Sequence, residues 1–156
     1  MSSIVDILLV EDSQDDIDLA LHALRQGGLA NSIFVARDGE EALDFLFCRG
    51  AFSDRSFDQC PKLVLLDLKL PKVDGLQVLK DVKSDLRTRT IPVVIMTSSK
   101  EERDLMESYS SGANSYIQKP VDFDQFRTTV KTLGLYWLVI NQPSINRGVA
   151  NGTTGQ

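Results

Sequence analysis

Five short apolar runs, each followed by a stretch of helical periodicity, restrict this chain to very few architectures. Residues 5–10 (VDILLV), 32–36, 63–66, 92–96 and the shorter 115–118 have strand length. They carry apolar side chains at odd and even positions alike. A sheet with one wet face alternates apolar and polar residues. A strand apolar on both faces must be covered on both, which is the condition of a parallel sheet between two helical layers. The intervening segments supply those layers. Ile17, Ala20, Leu21 and Leu24 follow helical spacing, as do Ala42, Leu43, Leu46 and Phe47. Leu76, Leu79, Val82 and Leu86 form a third stripe; Leu105, Met106 and Tyr109 form a weaker fourth. Phe123, Phe126, Val130, Leu133 and Trp137 form the longest. Gly27 and Gly28 punctuate the first helix, and Asp122 is placed to cap the fifth.

The expectation is an α/β fold, (βα) repeated five times and doubly wound, since crossovers between parallel strands are right-handed. Residues 1–140 are expected to make one domain. Residues 49–61 are a long connection outside the repeat. Residues 141–156, rich in Gly, Asn, Ser and Thr, read as a flexible tail.

Charge and composition narrow the function. The formal net charge is −5, which disfavours a nucleic-acid surface because such surfaces need a basic face. Cys48 and Cys60 match neither a zinc nor a redox motif and read as two reduced thiols. The longest apolar run, 133–140, is far short of the roughly 20 residues that span a bilayer. Asp6 interrupts the first apolar run as a signal peptide would not allow. A cytoplasmic protein is expected.

Doubly wound sheets place their chemistry at the carboxyl ends of the strands. There the chain has Glu11 and Asp12 after the first strand, Asp67 after the third, Thr97 and Ser98 after the fourth, and Lys119 with Pro120 after the fifth. Three carboxylates, a hydroxyl and an ammonium would meet at one edge. Two carboxylates about 4 Å apart repel by about 4 kcal/mol at an effective dielectric near 20. Lys119 offsets one charge. A hard divalent ion such as Mg²⁺ suits the remaining oxygen donors. Asp12, Asp67 and the backbone carbonyl of Lys69 are candidate ligands, with Glu11 holding coordinated water. Beside a metal, Asp67 is suited to attack phosphorus as a nucleophile, while Lys119 and the Thr97 hydroxyl meet the phosphoryl oxygens.

Taken together, Glu11-Asp12, Leu65-Leu66-Asp67, Leu70-Pro71 with Asp74-Gly75, Thr97-Ser98 and Lys119-Pro120 resemble the response-regulator receiver domain in order and spacing over about residues 5–139. The resemblance implies a flavodoxin-like fold with strand order 2-1-3-4-5. It implies a stand-alone two-component switch, phosphorylated on Asp67 by a histidine kinase in the presence of Mg²⁺. The acidic metal pair falls on Glu11 and Asp12, the hydroxyl switch on Thr97, the lysine on Lys119 and the mobile aromatic on Tyr116. Thr97 would move inward, Tyr116 would rotate, and the face of helix four, strand five and helix five would change for a partner. A shift from 1:99 to 99:1 needs about 5.5 kcal/mol, the size of a few charge-assisted hydrogen bonds.

The connection 49–61 and the segment Leu133-Gly134-Leu135-Tyr136-Trp137-Leu138 further resemble the small response regulators that partner bacterial phytochromes, which dimerise in part through this region. Tyr136 and Trp137 either pack on their own domain or take part in such a homodimer. Lys69 either acts on the phosphodonor or the hydrolytic water, or points outward, the reading favoured here. Lone His22 lies on the stripe of Asp15, Asp18 and Arg25 and is expected on the surface.

The chemistry is that of a receiver acting on its own aspartate, not of an enzyme. The alternatives fare worse. A phosphatase working through an aspartyl phosphate wants a second acid where Lys69 stands. A flavin carrier wants a phosphate loop free of carboxylates, whereas this loop runs Glu11, Asp12, Asp15, Asp16. A phosphorylation-independent binding module would not need the acceptor set.

Overall fold

The computed structural model describes residues 5–26, 33–108 and 112–135. Strands β1 (Ile7–Val10), β2 (Ile33–Ala36), β3 (Leu63–Asp67), β4 (Val93–Thr97) and β5 (Ser115–Gln118) alternate with helices α1 (Gln14–Gln26), α2 (Gly39–Leu46), α3 (Gly75–Ser84), α4 (Lys100–Ser108) and α5 (Phe123–Thr132). The strands form one parallel sheet in the order β2-β1-β3-β4-β5. The flavodoxin-like (βα)₅ expectation is met.

The two-residue period of a strand divides the core in two. Ile7, Leu9, Leu63, Leu65, Val94, Met96 and Ile117 point to one face, where Ile17, Ala20 and Leu24 of α1 and Phe126 and Val130 of α5 cover them. Leu8, Val10, Val64, Leu66, Val93 and Ile95 point to the other, under Ala42, Leu43 and Leu46 of α2 and Val78, Leu79 and Val82 of α3. Both central layers are fully buried, which explains why β1, β3 and β4 read as unbroken apolar runs.

Several helices are shorter than their stripes. α3 stops at Ser84, so Leu86 lies beyond it and is exposed; Leu76 is exposed as well, and the buried set is Val78, Leu79 and Val82. On α4, Met106 is buried and Leu105 is exposed. α5 ends at Thr132, before the projected run to Trp137. Tyr109, Gly27, Gly28, Tyr136, Trp137 and the tail from 141 lie outside the described residues. Asp122 caps α5, its side chain accepting from Gln125 N at 2.9 Å. Asp38 and Asp74 cap α2 and α3 in the same way. His22 is exposed, as are Asp15, Asp18 and Arg25, and both cysteines are free.

The connection 49–61 is not loose. It forms two 3-10 turns, Gly50–Phe52 and Phe57–Gln59, around a buried Arg55. The Arg55 guanidinium sits 3.7 Å from the centroid of the Phe45 ring and donates to the carbonyls of Phe45 and Gln59 at 2.6 and 2.8 Å.

Candidate functional site

Parallel pairing aligns the carboxyl ends of β1, β3, β4 and β5, and the chain sets its polar residues there. Asp67 and Thr97 are the last residues of β3 and β4 rather than the first beyond them. Glu11 follows β1 directly, and its backbone N–H extends that ladder to Ala36 O at 3.0 Å. Past Asp67 the chain turns sharply into α3. Gly75 N donates to Leu68 O at 2.9 Å. A Cβ on Gly75 would stand 2.3 Å from the Asp67 carbonyl oxygen, so the Asp74-Gly75 pair reflects a close backbone approach.

Carboxylate oxygens of Glu11, Asp12 and Asp67 lie within 4.8 Å of one another. Glu11 and Asp67 are buried and Asp12 is exposed, so the triad is closed behind and open in front. Lys119, with its Nζ 3.0 Å from Glu11 Oε1 and 3.4 Å from Asp67 Oδ1, forms the fourth side. Its backbone N–H donates to Thr97 O at 2.7 Å, and the Lys119–Pro120 bond is cis. Glu11 Oε2 accepts from Ser13 N at 3.1 Å.

The electrostatics follow from this enclosure. Burial pushes the Asp67 carboxyl up, against the opposing pull of Lys119, a hydrogen bond with the Glu11 side chain and one from the Leu68 backbone. Burial also pushes Glu11 up, with Lys119 opposing and the Asp67 charge adding to the rise. For Lys119 burial pulls down, but Glu11, Asp67 and Asp16 more than reverse it, and the net shift is upward. An all-oxygen set with surplus negative charge and one solvent-facing carboxylate fits a hard divalent cation.

Of the residues singled out from sequence, Glu11, Asp12, Asp67 and Lys119 are thus brought together. Thr97 is fully buried at the end of the neighbouring strand, its hydroxyl donating to Ile117 O across a long 3.5 Å. Tyr116 is half-buried and packs against the α2/α3-side core, away from that cluster, with the Arg103 guanidinium 5.7 Å from its ring centroid. Lys69 is exposed beside Asp12, on a groove of about 570 Å³ walled by Leu68, Leu70, Pro71, Leu76 and Met106.

One participant was missed. Asp16 Oδ2 accepts from Lys119 Nζ at 3.1 Å. It stands in the first turn of α1 with its side chain 34% exposed, and no spacing in the sequence marks it as a partner of Lys119.

The chain is similar to known proteins. Residues 7–131 match the family model of the response regulator receiver domain. The chain is 41% identical over 136 residues to the probable methanogenesis regulatory protein FilR2 of Methanothrix harundinacea, covering 87% of this chain and 85% of that protein. It is 36% identical over 132 residues to the response regulator Rcp1 of Synechocystis sp., covering 85% and 88%. A structure of Rcp1 in its Mn²⁺-bound form superposes with a TM-score of 0.66 over 85% of this chain and 93% of that one. The bacteriophytochrome response regulator AtBRR superposes with a TM-score of 0.79 at 49% identity, over 87% of this chain and 96% of that one.

Proposed function

Because the chain belongs to the response-regulator receiver family, we propose that it is a phosphorylation switch whose acceptor is Asp67, acting with Mg²⁺ and a histidine kinase. The observation that carries this reading is the enclosure of the buried Asp67 carboxylate by Glu11, Asp12 and Lys119 at the carboxyl edge of the sheet.

In the proposed reaction an Asp67 carboxylate oxygen forms a bond to phosphorus as the bond from phosphorus to the donor's imidazole nitrogen breaks. The imidazole leaves and recovers a proton from solvent. Lys119 holds charge on the phosphoryl oxygens, and the Thr97 hydroxyl turns from Ile117 O to donate to another. Asp12, Asp67 and the Lys69 carbonyl, with Glu11 behind, would hold Mg²⁺, which would supply neutralisation of the remaining charge. Mn²⁺ bound to Rcp1 supports a divalent ion of this kind in a relative. The switch is then read on the α4–β5–α5 face through Tyr116.

The kinase is proposed to be of the phytochrome type, supported by the likeness to AtBRR. Residues 1–140 are proposed as the receiver and 141–156 as its tail. Assembly as a homodimer through Tyr136 and Trp137, which lie outside the described residues, is proposed from the sequence resemblance alone. No helix among the described residues is long and apolar enough to cross a membrane; a cytoplasmic location is proposed with the kinase. The switch is proposed to act on protein partners, not on nucleic acid, in line with the net charge of −5.

Incubation with acetyl phosphate and Mg²⁺, followed by intact-mass analysis, tests the core of this. The wild type gains one phosphoryl group; Asp67→Asn gains none, and excess EDTA suppresses the gain. Modification that persists in Asp67→Asn would refute the assignment.

A further inference from the structure

The ammonium of Lys119 has three N–H donors and three carboxylate neighbours: Glu11 at 3.0 Å, Asp16 at 3.1 Å and Asp67 at 3.4 Å. Two of its donors are hydrogen-bonded, to Glu11 and Asp16, and the third is left for the ion pair with Asp67. If Asp67 is the acceptor, as proposed above, a phosphoryl group attached there brings new anionic oxygens to the same lysine. One present neighbour must give way.

The three are not equally free to leave. Asp67 is tied to the phosphoryl group covalently. Glu11 has 1% of its side chain exposed and its other oxygen engaged by Ser13 N; stripping it of the lysine would leave an unpaired charge in the interior, a severe cost. The Asp16 side chain is 34% exposed, so water replaces the lysine with little loss. Its backbone is fixed meanwhile, since Asp16 N donates to Ser13 Oγ at 3.4 Å in the first turn of α1. Only the side chain has to swing.

We propose that Asp16 is a positioning residue for the phosphoryl-transfer site: it holds Lys119 from the solvent side in the resting protein and yields it to the phosphoryl oxygens. The lysine is thereby kept extended toward the site before a donor arrives. The exchange sets part of the affinity for a phosphoryl group, and this role rests on Asp67 being the acceptor.

Beryllofluoride in the presence of Mg²⁺ is a probe that needs no kinase. Its binding to the full chain is measured by calorimetry for the wild type, Asp67→Asn, Asp16→Asn, Asp16→Glu and Asp15→Asn. Asp15 is exposed next to Asp16 and serves as the charge-matched control. Thermal melts establish that each variant is folded. Asp16→Asn frees Lys119 without an exchange and is expected to bind roughly two- to five-fold tighter than the wild type, the scale of a partly exposed ion pair. Asp16→Glu restores a carboxylate within reach and binds as the wild type does. Asp15→Asn is unchanged. Equal tightening in Asp15→Asn and Asp16→Asn would mean that only net charge matters and would overturn the proposal, as would no change in Asp16→Asn. Failure of the wild type itself to bind, or undiminished binding to Asp67→Asn, would instead overturn the acceptor reading and the role of Asp16 with it.

Discussion

Asp67 and Glu11 are carboxyl groups kept where their charge is disfavoured, and this has a measurable consequence for stability. Both are shifted upward, with burial the largest cause. Well below the ordinary carboxylate value of about 4, folded and unfolded chains are both protonated and the site imposes no penalty. As pH rises through that value the unfolded chain ionises freely while the folded chain holds its proton. Stability is therefore lost as pH rises, until the folded-state value is passed. In EDTA, Asp67→Asn is accordingly expected to melt above the wild type near neutral pH, with the gap closing on acidification toward about pH 4. A gap that stays constant across that range would contradict it. At this scale the sequence was readable where chain direction alone places a residue. Glu11, Asp12, Asp67 and Lys119 stand at the ends of parallel strands, so their convergence followed from topology. Asp16 was not readable in that way. Its contact with Lys119 depends on how far α1 tilts across the mouth of the sheet, between residues 103 apart in the chain, and no local pattern reports that tilt.

Elements were legible in kind and less so in length. The strands emerged because a doubly covered strand has an unmistakable composition. Helix ends did not, because an apolar residue just past a helix continues the spacing whether or not the backbone does. Leu86 follows α3 and Leu133 closes α5, and both extended a stripe on paper. The internal order of the segment 49–61 is not legible in the sequence, since it comes from a polar residue turned inward. Arg55 lies over Phe45, which stacks on Phe34 with centroids 4.5 Å apart, and Phe52 meets both edge-on at 5.4 and 5.2 Å. Nothing in the spacing of a lone arginine announces this. The arrangement predicts that Arg55→Met destabilises the fold by about 2 to 3 kcal/mol, the combined size of charged hydrogen bonds to two carbonyls and a desolvated cation–π contact. Arg55→Lys should recover little of it, because an ammonium cannot reach both carbonyls while stacking on the ring. Urea titration measures both; a lysine variant as stable as the wild type would show that charge alone anchors the segment.

For the molecule as a whole, the question is how an event at one sheet edge reaches a partner. In the proposed switch the link is Thr97. Its carbonyl accepts from Lys119 N, and its hydroxyl reaches Ile117 O across 3.5 Å, so it ties β4 to β5 next to Asp67. A contact that long is weak and easily exchanged for a charge-assisted bond to a phosphoryl oxygen. Loss of the tie would loosen β5 from the end of β4 at the point where Tyr116 meets Arg103 of α4. The helices of the α2/α3 side rest on fully buried central strands. The response should therefore be lopsided. In amide NMR spectra, Mg²⁺ with beryllofluoride is expected to move signals around Asp67 and Lys119 and also at Arg103, Tyr116 and the start of α5, while α2 and α3 stay still. In Thr97→Ala the probe still binds, since Lys119 and the acidic triad are intact, but the shifts stop at the sheet edge. Shifts at Tyr116 that survive in Thr97→Ala would mean that the signal travels by another route, with Lys119 and the turn at Pro120 then the path that remains.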